Sequence, residues 1–180
     1  MKQAIVTGAT GFIGAEFIKF LTDKGVDVIA LGRKPLSEVI KSRKDKLAFA
    51  NYINLDMREI SKLHEKLNEI SWSIGPECIF FNLAWGGANG LSDLDIEAQM
   101  QNVSWSVNAL EKSVEIGCSR FIQVGTMEEA FTHKYFELDH HKNDEYNRHV
   151  IYSTAKIAAK NALALKASNL DIDYNYVINS

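Results

Sequence analysis

Tyr152 and Lys156, in the run YSTAK, stand four residues apart and so share one face of a helix. A free tyrosine loses its proton near pH ~10, too high for a base at neutral pH. A neighbouring ammonium favours the phenolate, and a phenolate can take the proton from a substrate hydroxyl. Tyr152 is the only one of the six tyrosines with lysine at that distance. The same two residues would also make an ordinary exposed pair on an amphipathic helix, so their meaning depends on the rest of the chain.

A second cluster lies at the other end. The run TGATGFIG, Thr7 to Gly14, follows the apolar residues Ala4-Ile5-Val6 and carries Gly8, Gly11 and Gly14. Between a strand and a helix, such glycines permit a tight turn, a close approach of backbone to a pyrophosphate, and close packing of helix on strand. The helix start adds unpaired N–H groups and a partial positive charge. The reading is a dinucleotide-binding turn.

Positioning two such clusters needs an alternating framework, and the hydrophobic pattern supplies one. Short apolar runs predict strands at 3–7, 26–31, 49–54, 78–83, 120–125 and 173–178. Helical periods predict helices at 11–24, 36–46, 58–70, 97–117 and 150–169. In the fourth helix Met100, Val103, Val107, Leu110 and Val114 step along one face, and Gly117 stops it. Alternation of this kind defines an α/β fold of the Rossmann type, a doubly wound parallel sheet of about six strands with helices on both faces. Residues 1–180 are expected to form a single domain. The non-periodic stretches 85–96 and 127–148 each follow a strand and are expected to border the ligand crevice.

Composition narrows the partners. The 180 residues are 46% apolar and 24% charged with net charge −3, which argues for neither a nucleic-acid nor a membrane partner. The basic stretch from Arg33 to Lys46 also holds Glu38 and Asp45 and reads as a solvated helix face. No signal peptide or bilayer-length apolar run is present, so a cytoplasmic location is expected. Cys78 and Cys118 fit no metal or redox spacing and read as small reduced core residues. The five histidines form no metal set, His140-His141 sitting in a charged loop.

Taken in order, TGATGFIG, NLDM, FFNLAW, NVSWSVNALEKSVEIG, RFIQVGTMEEAF and YSTAK resemble the extended branch of the short-chain dehydrogenase/reductase superfamily, the sugar-nucleotide epimerases and dehydratases. The resemblance implies a nicotinamide dinucleotide bound at Gly8, Thr10, Gly11, Phe12, Ile13 and Gly14. It implies Asp56 on the adenine amino group and Leu83 and Ala84 beneath the cofactor. It implies Thr126 on the reacting oxygen, Tyr152 as acid/base with Lys156 as its catalytic partner, and both Tyr152 and Lys156 against the cofactor, Lys156 on the nicotinamide ribose. Glu128 falls where dehydratases of this branch carry a second acid/base, although Met127 replaces the aspartate that many have before it. Simpler readings stand beside these: Asp56 as a helix cap, Thr126 as a strand end, and Glu128-Glu129 as a solvated loop. Asn102 corresponds to an asparagine that helps order a water relay in the wider superfamily, and here could bond backbone alone.

An acid about 20 residues beyond the glycines would bond the ribose 2′-hydroxyl of NAD. In VIALGRKP that place is Gly32, followed by Arg33 and Lys34, which suits a 2′-phosphate and predicts NADP(H) over NAD(H). Arg33 could also be an exposed loop residue. The expected activity is that of an NAD(P)-dependent epimerase/dehydratase acting on a nucleotide-activated sugar by hydride transfer. A 4-keto-sugar-nucleotide reductase and a non-catalytic NAD(P)-binding module are the alternatives. The resemblance also implies a homodimer through helices 97–117 and 150–169, and a further C-terminal part that lines the sugar-nucleotide pocket. The chain is therefore expected to be a piece of a longer enzyme or a naturally short form of it.

Overall fold

The structure is a computed structural model and describes residues 1–88, 90–138 and 148–179. Six parallel strands form one sheet: β1 (Gln3–Thr7), β2 (Asp27–Gly32), β3 (Asn51–Asn54), β4 (Cys78–Asn82), β5 (Arg120–Thr126) and β6 (Asp173–Asn179). Their order is β3-β2-β1-β4-β5-β6, so the chain reverses direction across the sheet between β1 and β4. That reversal opens a crevice at the carboxyl ends of the two central strands. The helices are α1 (Phe12–Asp23), α2 (Lys41–Lys44), α3 (Leu63–Glu69), α4 (Ile96–Glu115), α5 (Thr132–Glu137) and α6 (His149–Leu170).

Helices cover both faces of the sheet, which is why its strands are continuously apolar. Along β1, Ala4 and Val6 pack toward Ile18 and Leu21 of α1, while Ile5 packs into the opposite cluster with Phe80, Leu110, Phe121 and Leu163. Phe80 and Phe121 stack with centroids 5.3 Å apart. Cys78 and Cys118 are buried free thiols that touch each other across β4 and β5, with sulfurs 3.8 Å apart.

Four expectations change, one of them being the helix expected at 58–70, which is the 3-10 segment Met57–Lys62 followed by α3. The helix expected at 36–46 is broken into the 3-10 turn Leu36–Glu38, the four-residue α2 and the 3-10 turn Asp45–Leu47. The stretch 127–148, read as non-periodic, holds the 3-10 turn Met127–Phe131 and α5, both too short for a period to show. On α4 the residues turned inward are Gln99, Asn102, Ser106 and Ser113 beside Ala109 and Leu110, whereas Met100 is 36% exposed. The polar face turns in because the central strands need hydrogen-bond partners there. His140 and His141 lie outside the described residues.

Those partners meet at Asn82, fully buried at the end of β4. Its oxygen accepts from Thr7 Oγ1 at 2.7 Å, and its amide donates to Gln123 Oε1 at 2.8 Å and Ser106 Oγ at 3.2 Å. Asn82→Ala strands three polar groups without water, and is expected to lower the unfolding free energy by about 2–4 kcal/mol in urea denaturation.

Candidate active site

The turn after β1 is built by space as much as by conformation. Gly8 takes φ +69°, and a Cβ on it would lie 2.9 Å from the Ala84 nitrogen. A Cβ on Gly14 would lie 2.2 Å from the Gly8 carbonyl oxygen. Gly11 caps α1, whose first turn carries no acidic residue, so its free amides and partial positive charge face the crevice unopposed. Thr7 Oγ1 accepts from the backbone N–H groups of Leu83 (3.1 Å) and Ala84 (3.0 Å), which brings the segment after β4 against the glycines. Arg43 of α2 donates to the Thr10 carbonyl at 2.8 Å and braces the turn from outside. Nothing in the basic stretch around Arg43 marked it for that position.

A cavity of about 580 Å³ runs along this crevice. Gly8, Thr10, Gly11, Arg33, Asp56, Leu83 and Ala84 line it, as expected. Phe12 and Ile13 do not; their side chains are 72% and 45% exposed, so only their backbone could serve a ligand. Gly14 likewise acts from below, as packing space. Arg33, Lys34, Arg43 and Arg58 line the cavity together with Asp56, and Arg58 and Arg33 act on the Asp56 carboxyl. Arg58 binds Asp56 through two 3.0 Å side-chain hydrogen bonds and its own N–H, so Asp56 is a helix cap as well as a lining group. The Arg58 guanidinium holds the Asp56 carboxyl below its ordinary value. A side chain at Gly32 has no room while the Tyr52 ring stands there, its hydroxyl within 2.4 Å of the missing Cβ. The cradle, the anion-favouring helix start and the basic lining fit an elongated phosphate-bearing ligand such as a dinucleotide.

Thr126 closes β5, and Tyr152 and Lys156 stand on α6. Thr126 is 9% exposed; its hydroxyl accepts from the Glu128 N–H at 3.3 Å and lies beside the Tyr152 phenol. Burial pushes the Tyr152 phenol above its ordinary value; the Thr126 hydroxyl opposes this, and Glu128 and Glu129 add to the rise. This corrects the expectation that Lys156 lowers it. Lys156 is itself 5% exposed, and burial lowers its amine to about 7. Its Nζ donates to the Val124 carbonyl at 3.1 Å, beneath the Trp85 indole. Neither Tyr152, Lys156 nor Thr126 lines the cavity.

The acids after β5 are not a solvated loop. Thr126 and Glu129 form a reciprocal cap, with the Thr126 N–H donating to Glu129 Oε1 at 2.9 Å. The same oxygen accepts from the Tyr176 hydroxyl at 2.5 Å. Glu128 Oε2 accepts from the Tyr135 hydroxyl and is hydrogen-bonded to His149 Nδ1 at 3.0 Å. Asn102 accepts from the Gly86 N–H (2.7 Å) and donates to its carbonyl (3.0 Å), so it orders the segment after β4. Sequence reasoning missed Tyr135, His149, Trp85 and Gln99. Thr126-x-x-Glu129, a capping-box spacing, was the one local signal available.

Fold and crevice define a doubly wound α/β protein with its ligand cavity at the switch point of the sheet. The NAD dependent epimerase/dehydratase family model matches residues 4–179, and the chain belongs to that family. No curated protein sequence matches the chain. Among solved structures, a UDP-galactose 4-epimerase is 20% identical with a TM-score of 0.69, covering 97% of this chain and 54% of its own. The UDP-glucose 4-epimerase of Thermus thermophilus, solved with NAD, is 17% identical with a TM-score of 0.70, covering 97% and 53%. The UDP-Glc/GlcNAc 4-epimerase of Campylobacter jejuni is 14% identical with a TM-score of 0.70, covering 99% and 53%. At these identities the likeness is one of fold, and the chain spans about half the length of each. No described helix is long and apolar enough to cross a membrane.

Proposed function

We propose that the chain is the dinucleotide-binding part of an enzyme that oxidises and reduces a ring carbon of a nucleotide-activated sugar, as an epimerase or dehydratase does. The observations that carry this are a glycine cradle lining the cavity after β1 and, at the end of β5 and on α6, Thr126, Tyr152 and Lys156 gathered together. The neighbours solved as UDP-sugar epimerases support the substrate class. A bound nicotinamide supplies the hydride acceptor and donor. The chain's own residues do the rest. Gly8, Gly11 and the start of α1 hold the pyrophosphate, with Phe12 and Ile13 offering backbone N–H groups. Thr126 orients the substrate hydroxyl toward Tyr152, which receives its proton when in the phenolate form. Glu128, steadied by Tyr135 and His149, is the second acid/base that a dehydration requires. A homodimer through α4 and α6, which the family resemblance implies, is part of this reading.

We assign NADP(H) as the preferred cofactor. The support is local: Gly32 leaves no carboxylate for a 2′-hydroxyl, and Arg33 with its basic neighbours lines the same cavity. Arg33→Ala is expected to weaken NADPH binding by about tenfold, a loss of about 1.4 kcal/mol, and to leave NADH unchanged. Fluorescence titration of both reduced cofactors checks this. An equal loss for both, or tighter NADH binding by the unaltered chain, contradicts the assignment.

A further inference from the structure

Two aromatic side chains line the cavity, Trp85 and Trp105, and the protein engages them differently. The Trp85 N–H donates to Gln99 Oε1 at 2.8 Å, Lys156 Nζ lies 3.8 Å from its ring centroid, and the Tyr152 ring meets it edge to face with centroids 6.1 Å apart. Trp72, outside the cavity, donates to Asp27. Trp105, half-buried on α4, has no such partner. Among the described residues its N–H donates to nothing, and its ring meets no other aromatic ring or cation. Its helix is nonetheless fixed at this point. Asn102, one turn earlier on α4, is bonded to both the N–H and the carbonyl of Gly86, which holds α4 against the segment after β4. The indole reaches that segment, its Cζ3 lying 3.7 Å from where a Cβ on Gly86 would stand. A flat apolar ring without a protein partner, on the wall of a phosphate-fitted cavity, is a surface on which a planar base can stack.

We infer that Trp105 is the stacking surface for the adenine base of the bound dinucleotide. The inference rests on the dinucleotide reading above and adds to it the residue that grips one half of the ligand. Sheet order assigns the half. β2 and β3 lie on one side of β1, and β4 and β5 on the other, so a dinucleotide whose pyrophosphate sits on the turn after β1 spans both sides. Thr126, at the end of β5, with Tyr152 and Lys156 on α6, takes the reacting nicotinamide side. Arg33 after β2 and Asp56 after β3 take the adenosine side. Helix α4 packs on the 3-10 segment Met57–Lys62, which Asp56 caps. Met57 and Ile60 of that segment line the cavity together with Trp105. The indole therefore belongs to the adenosine side, and these two aliphatic side chains complete an apolar setting for the base. Stacking is indifferent to what the nicotinamide half does, so its loss weakens adenosine-bearing ligands whether or not they carry a nicotinamide.

Titration calorimetry of the unaltered chain, Trp105→Leu and Trp105→Phe with NADPH and with 2′,5′-ADP reads this without turnover. The second ligand carries the adenosine half and no nicotinamide. Trp105→Leu, which fills the space without a ring, should weaken both ligands by about tenfold. Trp105→Phe, which keeps a ring, should stay within about twofold of the unaltered chain. Quenching of tryptophan emission by 2′,5′-ADP, mostly lost in Trp105→Phe, reads the same stack and serves if the leucine variant does not fold. Unchanged affinity for 2′,5′-ADP in a folded Trp105→Leu chain overturns the inference. So does a loss confined to NADPH, which would place the ring on the nicotinamide half. Equal losses in the leucine and phenylalanine variants, or quenching that persists in full without Trp105, overturn it as well. An unaltered chain that binds neither ligand removes the dinucleotide reading itself, and the inference with it.

Discussion

Tyr152→Phe is expected to lower turnover on a nucleotide sugar by about 10²- to 10⁴-fold while leaving dinucleotide affinity unchanged. The separation follows from position. Tyr152 does not line the cavity that the glycine turn builds, so its hydroxyl contributes to proton transfer and not to holding the cofactor. That hydroxyl enters the reaction with a handicap, because burial holds it protonated beyond the ordinary tyrosine range. The Thr126 hydroxyl works against burial. Thr126→Val removes the opposing influence, so the Tyr152 pKa rises further. The acidic limb of the kcat/KM profile should accordingly move to higher pH in that variant. Steady-state rates across pH, with cofactor affinity measured alongside, check both statements. Equal losses in turnover and affinity for Tyr152→Phe would place its hydroxyl in binding instead.

Gly14→Ala is expected to be the most damaging single-methyl addition in the chain. Its Cβ would sit 2.2 Å from the Gly8 carbonyl oxygen, and that atom belongs to a backbone turn already fixed by Thr7, Ala84 and Arg43. Helix α1 must then move off β1, which costs about 3 kcal/mol or more and opens the cradle. Gly25 provides the contrast. It has φ +76° and nothing within 4 Å of an added Cβ, so Gly25→Ala meets only backbone strain, about 1 kcal/mol. Thermal melts and NADPH titration of both variants are expected to show lost binding for Gly14→Ala and retained binding for Gly25→Ala.

The framework was readable from sequence because each central strand is buried on both faces and therefore continuously apolar. β1 and the glycine turn match their expected bounds, and β4, β5 and β6 differ by one residue. What could not be read depends on partners distant in the chain. The inward face of α4 is polar because Asn82 and the Gly86 backbone need hydrogen bonds, and the apolar stripe at Met100, Val103 and Val107 gives no hint of that demand. Arg43 sits in a basic run that resembles any solvated helix, yet it braces the glycine turn. The Tyr152–Lys156 spacing is correctly read as one face of a helix. Which way the Tyr152 pKa moves was not, because its burial in the fold raises it. Glu128 and Glu129 look interchangeable as neighbours, and only the fold sends one to His149 and the other to Thr126 and Tyr176.

Fluorescence titration of the 180-residue chain with NADPH, paired with Gly14→Ala, decides whether the glycine cradle holds a dinucleotide. Saturable one-to-one binding by the unaltered chain, lost in the variant, is the expected result. No saturable binding, or binding that survives Gly14→Ala in a folded chain, would contradict it.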